Sequence, residues 1–162
     1  MAFDAFVDYS RKTIDTILNR ASRQVDDALG FDDRGVTGQI YNEATFRHFL
    51  SREKKRTARS GRSLLLMLVS VRTGDGSEAR ISRAVAGRLF SAMGSCVREV
   101  DFIGWYRDRQ VAGAVLAQGD AAPDSDTERV IVDRVTRALR QQVPARVAQG
   151  LHVRVLHVRG RQ

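Results

Sequence analysis

An α/β (α+β) fold built on a βαββαβ sheet is what this 162-residue sequence predicts. Three observations lead there. A continuously apolar run, Ser63-Leu-Leu-Leu-Met-Leu-Val-Ser-Val71, reads as a central strand buried on both faces. Two stretches with apolar residues at helical spacing, about 79–97 and 127–142, follow later in the chain. Between and after them lie a short hairpin, 100–117, and a last alternating run, Leu151 to Val158.

Taken in order, residues 3 to about 29 read as a helix. Val7, Ile14, Ala21 and Ala28 recur every seven positions, with Leu18 and Val25 between them. Arg11 also falls on that seam, so the pattern fits a coiled coil or a helix packed on its own domain. Gly30 ends the helix, and 31–35 is a short linker. The expected division is therefore 1–30 as an N-terminal, possible dimerisation helix and 31–162 as the domain.

A second helix is expected from Asn42 to about Ala58, with Asn42 as its cap and Phe46, Phe49 and Leu50 on one face. Ser60-Gly61 breaks it. The loop Thr73-Gly-Asp-Gly-Ser77 leads to the 79–97 helix, where Ile81, Val85, Leu89, Ala92, Met93 and Cys96 keep helical spacing. Arg107 to Gln110 is a turn joining strands 100–106 and 111–117. The 127–142 helix turns Val130, Ile131, Val135 and Leu139 inward, and Pro144 prevents its continuation. From residue 63 the order strand, helix, strand, strand, helix, strand describes a ferredoxin-like or cyclase-palm sheet.

Composition narrows the function classes. Lys+Arg number 27 against 19 Asp+Glu, a net charge of +8, and only Lys12, Lys54 and Lys55 of the 27 are lysines. A basic surface favours anionic partners. The cations are spread out, with no run beyond Lys54-Lys55-Arg56 and no aromatic interleaving, so nucleic acid is not the expected partner. Cys96 is the only cysteine, which excludes an intrachain disulfide and a cysteine-based zinc cluster. His48, His152 and His157 lack metal-ligand spacing. No apolar run reaches the ~18 residues of a membrane span, and the N-terminus lacks the marks of a signal peptide. A soluble, cytoplasmic chain without membrane insertion is expected.

Val36-Thr-Gly-Gln-Ile-Tyr-Asn42, the arginine-rich helix after it and the apolar strand from Ser63 resemble the opening of the diguanylate cyclase (GGDEF) family, with Gln39 as a one-residue insertion. The resemblance continues through Arg98-Glu-Val-Asp101 and the 107–111 hairpin to the final strand, about residues 33 to 158. It implies a GGDEF-like domain that is C-terminally shortened, since the family's usual last helix and strand have no counterpart.

What the resemblance implies for chemistry divides in two. The family cyclises GTP with acidic side chains that hold divalent metal. Ser70 stands where the strand-end acid would be. Arg107, Asp108, Arg109 and Gln110 stand in place of the signature turn of two glycines and acids, and Arg83 in place of a guanine-reading acid. The expectation is a degenerate site, no enzyme, no catalytic residue and no metal or other cofactor. Many members also bind cyclic di-GMP through an Arg-x-x-Asp placed five residues before the turn, and Arg98 and Asp101 keep that spacing. Arg56 and Arg134 match positions that supply further arginines, often across a dimer. A guanidinium can donate two bonds to guanine O6 and N7, and a carboxylate can accept from the base's N–H groups. The implied function is a cyclic di-GMP receptor regulating a bacterial surface process such as exopolysaccharide or biofilm formation. The alternative is a ligand-free interaction module that forms a homodimer or docks on a protein partner.

Overall fold

The computed structural model describes residues 40–97, 102–117 and 125–159, all within a compact unit spanning Gly35–Gln162. The helix expected at 3–29, its linker and the pair Arg98 and Asp101 lie outside the described residues.

The elements run β1 (Ile40–Tyr41), α1 (Glu43–Ser60), β2 (Ser63–Val71), α2 (Arg83–Cys96), β3 (Phe102–Arg107), β4 (Val111–Ala117), α3 (Ser125–Gln142), α4 (Ala145–Gly150) and β5 (Leu151–Arg159). The sheet order is β1-β3-β4-β2-β5. β1 pairs with β3 in parallel and every other pairing is antiparallel. The crossovers through α2 and α3 each skip one strand, as the ferredoxin-like reading requires, and the one through α1 skips two.

Local chemistry explains the helix ends. Asn42 Oδ1 accepts from the Thr45 amide at 2.9 Å, satisfying one of the first-turn N–H groups that a helix leaves unpaired. At the far end Gly61 takes φ 69°, a left-handed cap that a side chain would disfavour. Asn42→Ala should cost about 0.5–2 kcal/mol of stability, read from the midpoint of a denaturant melt.

Two layers of side chains sandwich the sheet. Leu64 to Ser70 of β2 are all buried, which is why that strand reads as one apolar run rather than an alternation. On one face Phe46 and Phe49 of α1 meet Phe102 edge-on, with ring centroids 5.4 and 5.8 Å apart. On the other face Phe90 of α2 stands perpendicular to Trp105 at 4.9 Å. α3 packs beside α2 on that second face, and α1 packs on the first.

Some expectations need correcting. The helix expected at about 79–97 begins at Arg83, not near 79, because Ser82 Oγ caps it through the Val85 amide at 3.3 Å. Residues before it run alongside the strands instead: the Ala79 amide donates to Val71 O and the Ile81 amide to Arg109 O, both at 2.7 Å. Ile81 is still core, 2% exposed, but reaches it from extended chain. Val130 faces solvent at 60% exposure, while Val135 and Leu139 are buried. Five residues from Val135 put Val130 about 140° around the helix, outside the buried stripe. β1 and α4 were not anticipated. Two and six residues are too short for periodicity to show. α4 restarts after Pro144, whose carbonyl accepts from the Val147 and Ala148 amides at 2.9 Å.

Candidate functional site

The β3–β4 turn is closed by the Gln110 amide donating to Arg107 O at 3.1 Å. Its third residue, Arg109, carries φ 54°, a backbone conformation usually left to Gly or Asn. Arg109 is held there by its neighbours: its carbonyl accepts from Ile81 N, and its Nε lies 3.4 Å from Ile81 O. Arg109→Gly should relieve strain and raise stability by roughly 1 kcal/mol, seen as a higher thermal midpoint.

Just before the turn the strand pairing shifts between Trp105 and Arg107, a bulge that leaves Tyr106 unpaired with β4. The first turn of α1 exploits it. Arg47 Nε donates to Tyr106 O at 2.8 Å and the guanidinium lies 4.8 Å from the Tyr106 ring centroid. Glu43, one helical turn earlier, sits 3.3 Å from Arg47 Nε and accepts from the Asp108 amide at 2.6 Å. On the other side of the tip Arg107 Nη1 reaches Glu78 Oε2 at 2.7 Å, and Glu78 itself bridges Arg72 through the backbone. The tip is thus pinned on two sides, its backbone by Glu43 and Arg47 and its Arg107 side chain by Glu78. These three residues escaped the sequence reading. The i,i+4 spacing of Glu43 and Arg47 was the one available signal. Nothing local to Glu78 pointed to the hairpin.

Ser70 is buried, 4% exposed, and lies in register between Val111 and His152. Arg83 is exposed at the start of α2, and Asp108 is exposed at the tip. Arg56 lies on α1 with Glu53 at 3.8 Å, whereas Arg134 is exposed on α3. Their helices cover opposite faces of the sheet, so one copy does not present the two arginines from a common face. Among the described residues no group of three or more His, Cys, Asp or Glu could hold a metal ion. Nor is any described helix long and apolar enough to cross a membrane.

Among the described residues two titrations are displaced. Asp75 is held at about 2 because the Ser77 and Thr73 hydroxyls and the Ser77 amide donate to its carboxylate. His152 is pushed below 6.5 by burial and then by the Arg72 and Arg154 charges, with Glu78 opposing. The unfolded chain therefore takes up this proton more readily than the folded one. Stability from neutral His152 is complete above about pH 6.5 and is lost as pH falls through the lower folded value. In His152→Gln, urea midpoints at mildly acidic and neutral pH should differ less than in wild type.

Neither the protein-family profiles nor the curated proteins contain a match to this sequence. Solved structures do match in fold. The GGDEF domain of FimX from Pseudomonas aeruginosa superposes with TM-score 0.57 at 13% identity, covering 80% of this chain and 81% of that one. The GGDEF domain of YfiN (TpbB) from the same organism gives 0.52 at 18%, covering 78% and 75%. The coiled coil and GGDEF domain of DgcB from Caulobacter crescentus, solved in complex with cyclic di-GMP, gives 0.51 at 14%, covering 97% and 82%. The fold is that of GGDEF domains.

Proposed function

We propose that this chain is a GGDEF-like receptor that binds cyclic di-GMP without making it. The observation that carries the reading is the coincidence of a GGDEF fold with an Arg-x-x-Asp sequence, Arg98 and Asp101, five residues ahead of the hairpin turn. Arg98 would grip the guanine O6/N7 edge and Asp101 its N–H donors, with Arg56 or Arg134 neutralising phosphate. DgcB, similar in fold, has been solved with that dinucleotide bound. Because Arg56 and Arg134 stand on helices that cover opposite faces, their joint use calls for two copies of the chain.

The hairpin tip supports the absence of turnover. The donors there and at the end of β2 do not fit a divalent cation: Ser70 offers a buried neutral hydroxyl and Arg109 a fixed positive charge where carboxylates are needed, which leaves Asp108 alone among those positions. The Asp108 amide, which would face phosphate in a cyclase, already carries the Glu43 carboxylate. A receptor of this class would regulate a bacterial surface process such as exopolysaccharide or biofilm formation, its ligand binding two conformational or assembly states of the chain with different affinity.

The test is a competition and turnover experiment on the full chain. Fluorescently labelled cyclic di-GMP should bind saturably, unlabelled cyclic di-GMP should displace it, and GTP should not. GTP incubated with Mg²⁺ or Mn²⁺ should remain unconverted. Formation of cyclic di-GMP from GTP would overturn the reading.

A further inference from the structure

Between residues 47 and 62 the sequence places seven Lys and Arg against a single acid, Glu53. The receptor reading uses only Arg56 of these. α1 buries Phe46, Phe49, Leu50 and Thr57, a stripe at helical spacing that faces the sheet. At about 100° per residue, Arg52, Lys55 and Arg59 fall together on the opposite side, with Lys55 diametrically outward. All three are exposed, and Lys54 is exposed on a flank. Glu53 is turned toward Arg56, and among the described residues no acid pairs with Arg52, Lys55 or Arg59. The outcome is a straight cationic ridge of roughly 10 Å along the helix.

We infer that this ridge is an electrostatic docking surface for the headgroup layer of an anionic lipid bilayer. Charge complementarity selects an anionic partner, and shape selects among anionic partners. α1 packs on β3, β2 and β5 through its buried stripe, so only its outer half can meet a partner. Its exposed half is a convex ridge, which meets a plane along its whole length. Beside Arg52, Lys55 and Arg59 that face carries one ring, exposed His48, and no Phe, Tyr or Trp on which successive bases could stack. The ridge has no apolar residue to insert, so adsorption is superficial, reversible and screened by salt. Each Lys or Arg near such a surface strengthens binding about fivefold.

The test is cosedimentation of the full chain with vesicles of equal parts phosphatidylcholine and phosphatidylglycerol, with pure phosphatidylcholine vesicles alongside. Binding is expected to the first, not the second, and should vanish in molar salt. Replacing Arg52, Lys55 and Arg59 together by Gln should lower partition roughly 100-fold. Replacing the exposed α3 arginines Arg129, Arg137 and Arg140 by Gln removes the same charge and should leave most of it. Lys55→Glu alone, a single outward position, should lower partition roughly 25-fold and guards against misfolding of the triple variant. No binding to the anionic vesicles would overturn the inference. So would equal losses from the two triple variants, or an oligonucleotide that binds more tightly than the vesicles and displaces the chain from them. None of these readouts depends on cyclic di-GMP.

Discussion

Arg98→Ala should weaken cyclic di-GMP binding by about 1–3 kcal/mol, or roughly 5–150-fold. The size follows from what is lost. Two parallel donor bonds to a guanine edge disappear, and the base acceptors must find water instead. Arg98→Lys should recover little, because an ammonium is a point charge and cannot present the planar fork. Asp101→Asn separates charge from geometry: it keeps an acceptor oxygen but loses the carboxylate that receives the base N–H groups. Calorimetry on the four proteins checks this, and equal affinity in wild type and Arg98→Ala would remove Arg98 from the site.

Gly104→Ala should be among the most damaging small substitutions in the described fold. Gly104 lies in register with Tyr41 of β1 and Gly113 of β4. A methyl group added there would sit 2.5 Å from Tyr41 O and 2.9 Å from its Cβ. The first obstacle is backbone, so the β1–β3 pairing must open or the sheet must bend. Overpacking of this kind costs about 1–3 kcal/mol, or roughly 3–10 °C in thermal midpoint for a domain of this size. Gly74, with nothing within 4 Å of such a methyl, provides the comparison. Gly74→Ala should stay within about 0.5 kcal/mol of wild type.

The sequence made most of the sheet legible because its signals are local. Ser63 to Val71 is apolar on both sides, and only a strand covered on both faces accepts that composition. Asn42 and Gly61 bracket α1 by side-chain and backbone preferences that need no tertiary knowledge. Failures came where tertiary pairing overrode periodicity. Ile81 fits a helical stripe yet lies in extended chain, because Ser82 caps the helix later and Arg109 O claims the Ile81 amide. The candidate site divides the same way. The Arg98 and Asp101 spacing is visible in four consecutive residues. The clamp on the hairpin tip is not, since Glu43 and Asp108 are 65 residues apart and Glu78 and Arg107 are 29.

Glu43, Arg47 and Glu78 hold the tip by charges on its own scaffold, so the tip needs no nucleotide to be ordered. The receptor site proposed at 98–101 directly precedes in sequence a strand, β3, whose far end is already fixed.

Titrating the unmodified chain with cyclic di-GMP in a calorimeter tests the central claim most directly. Saturable heat with a micromolar or tighter dissociation constant is the predicted result. An absence of heat at ligand concentrations far above that range, with the protein folded, would contradict it.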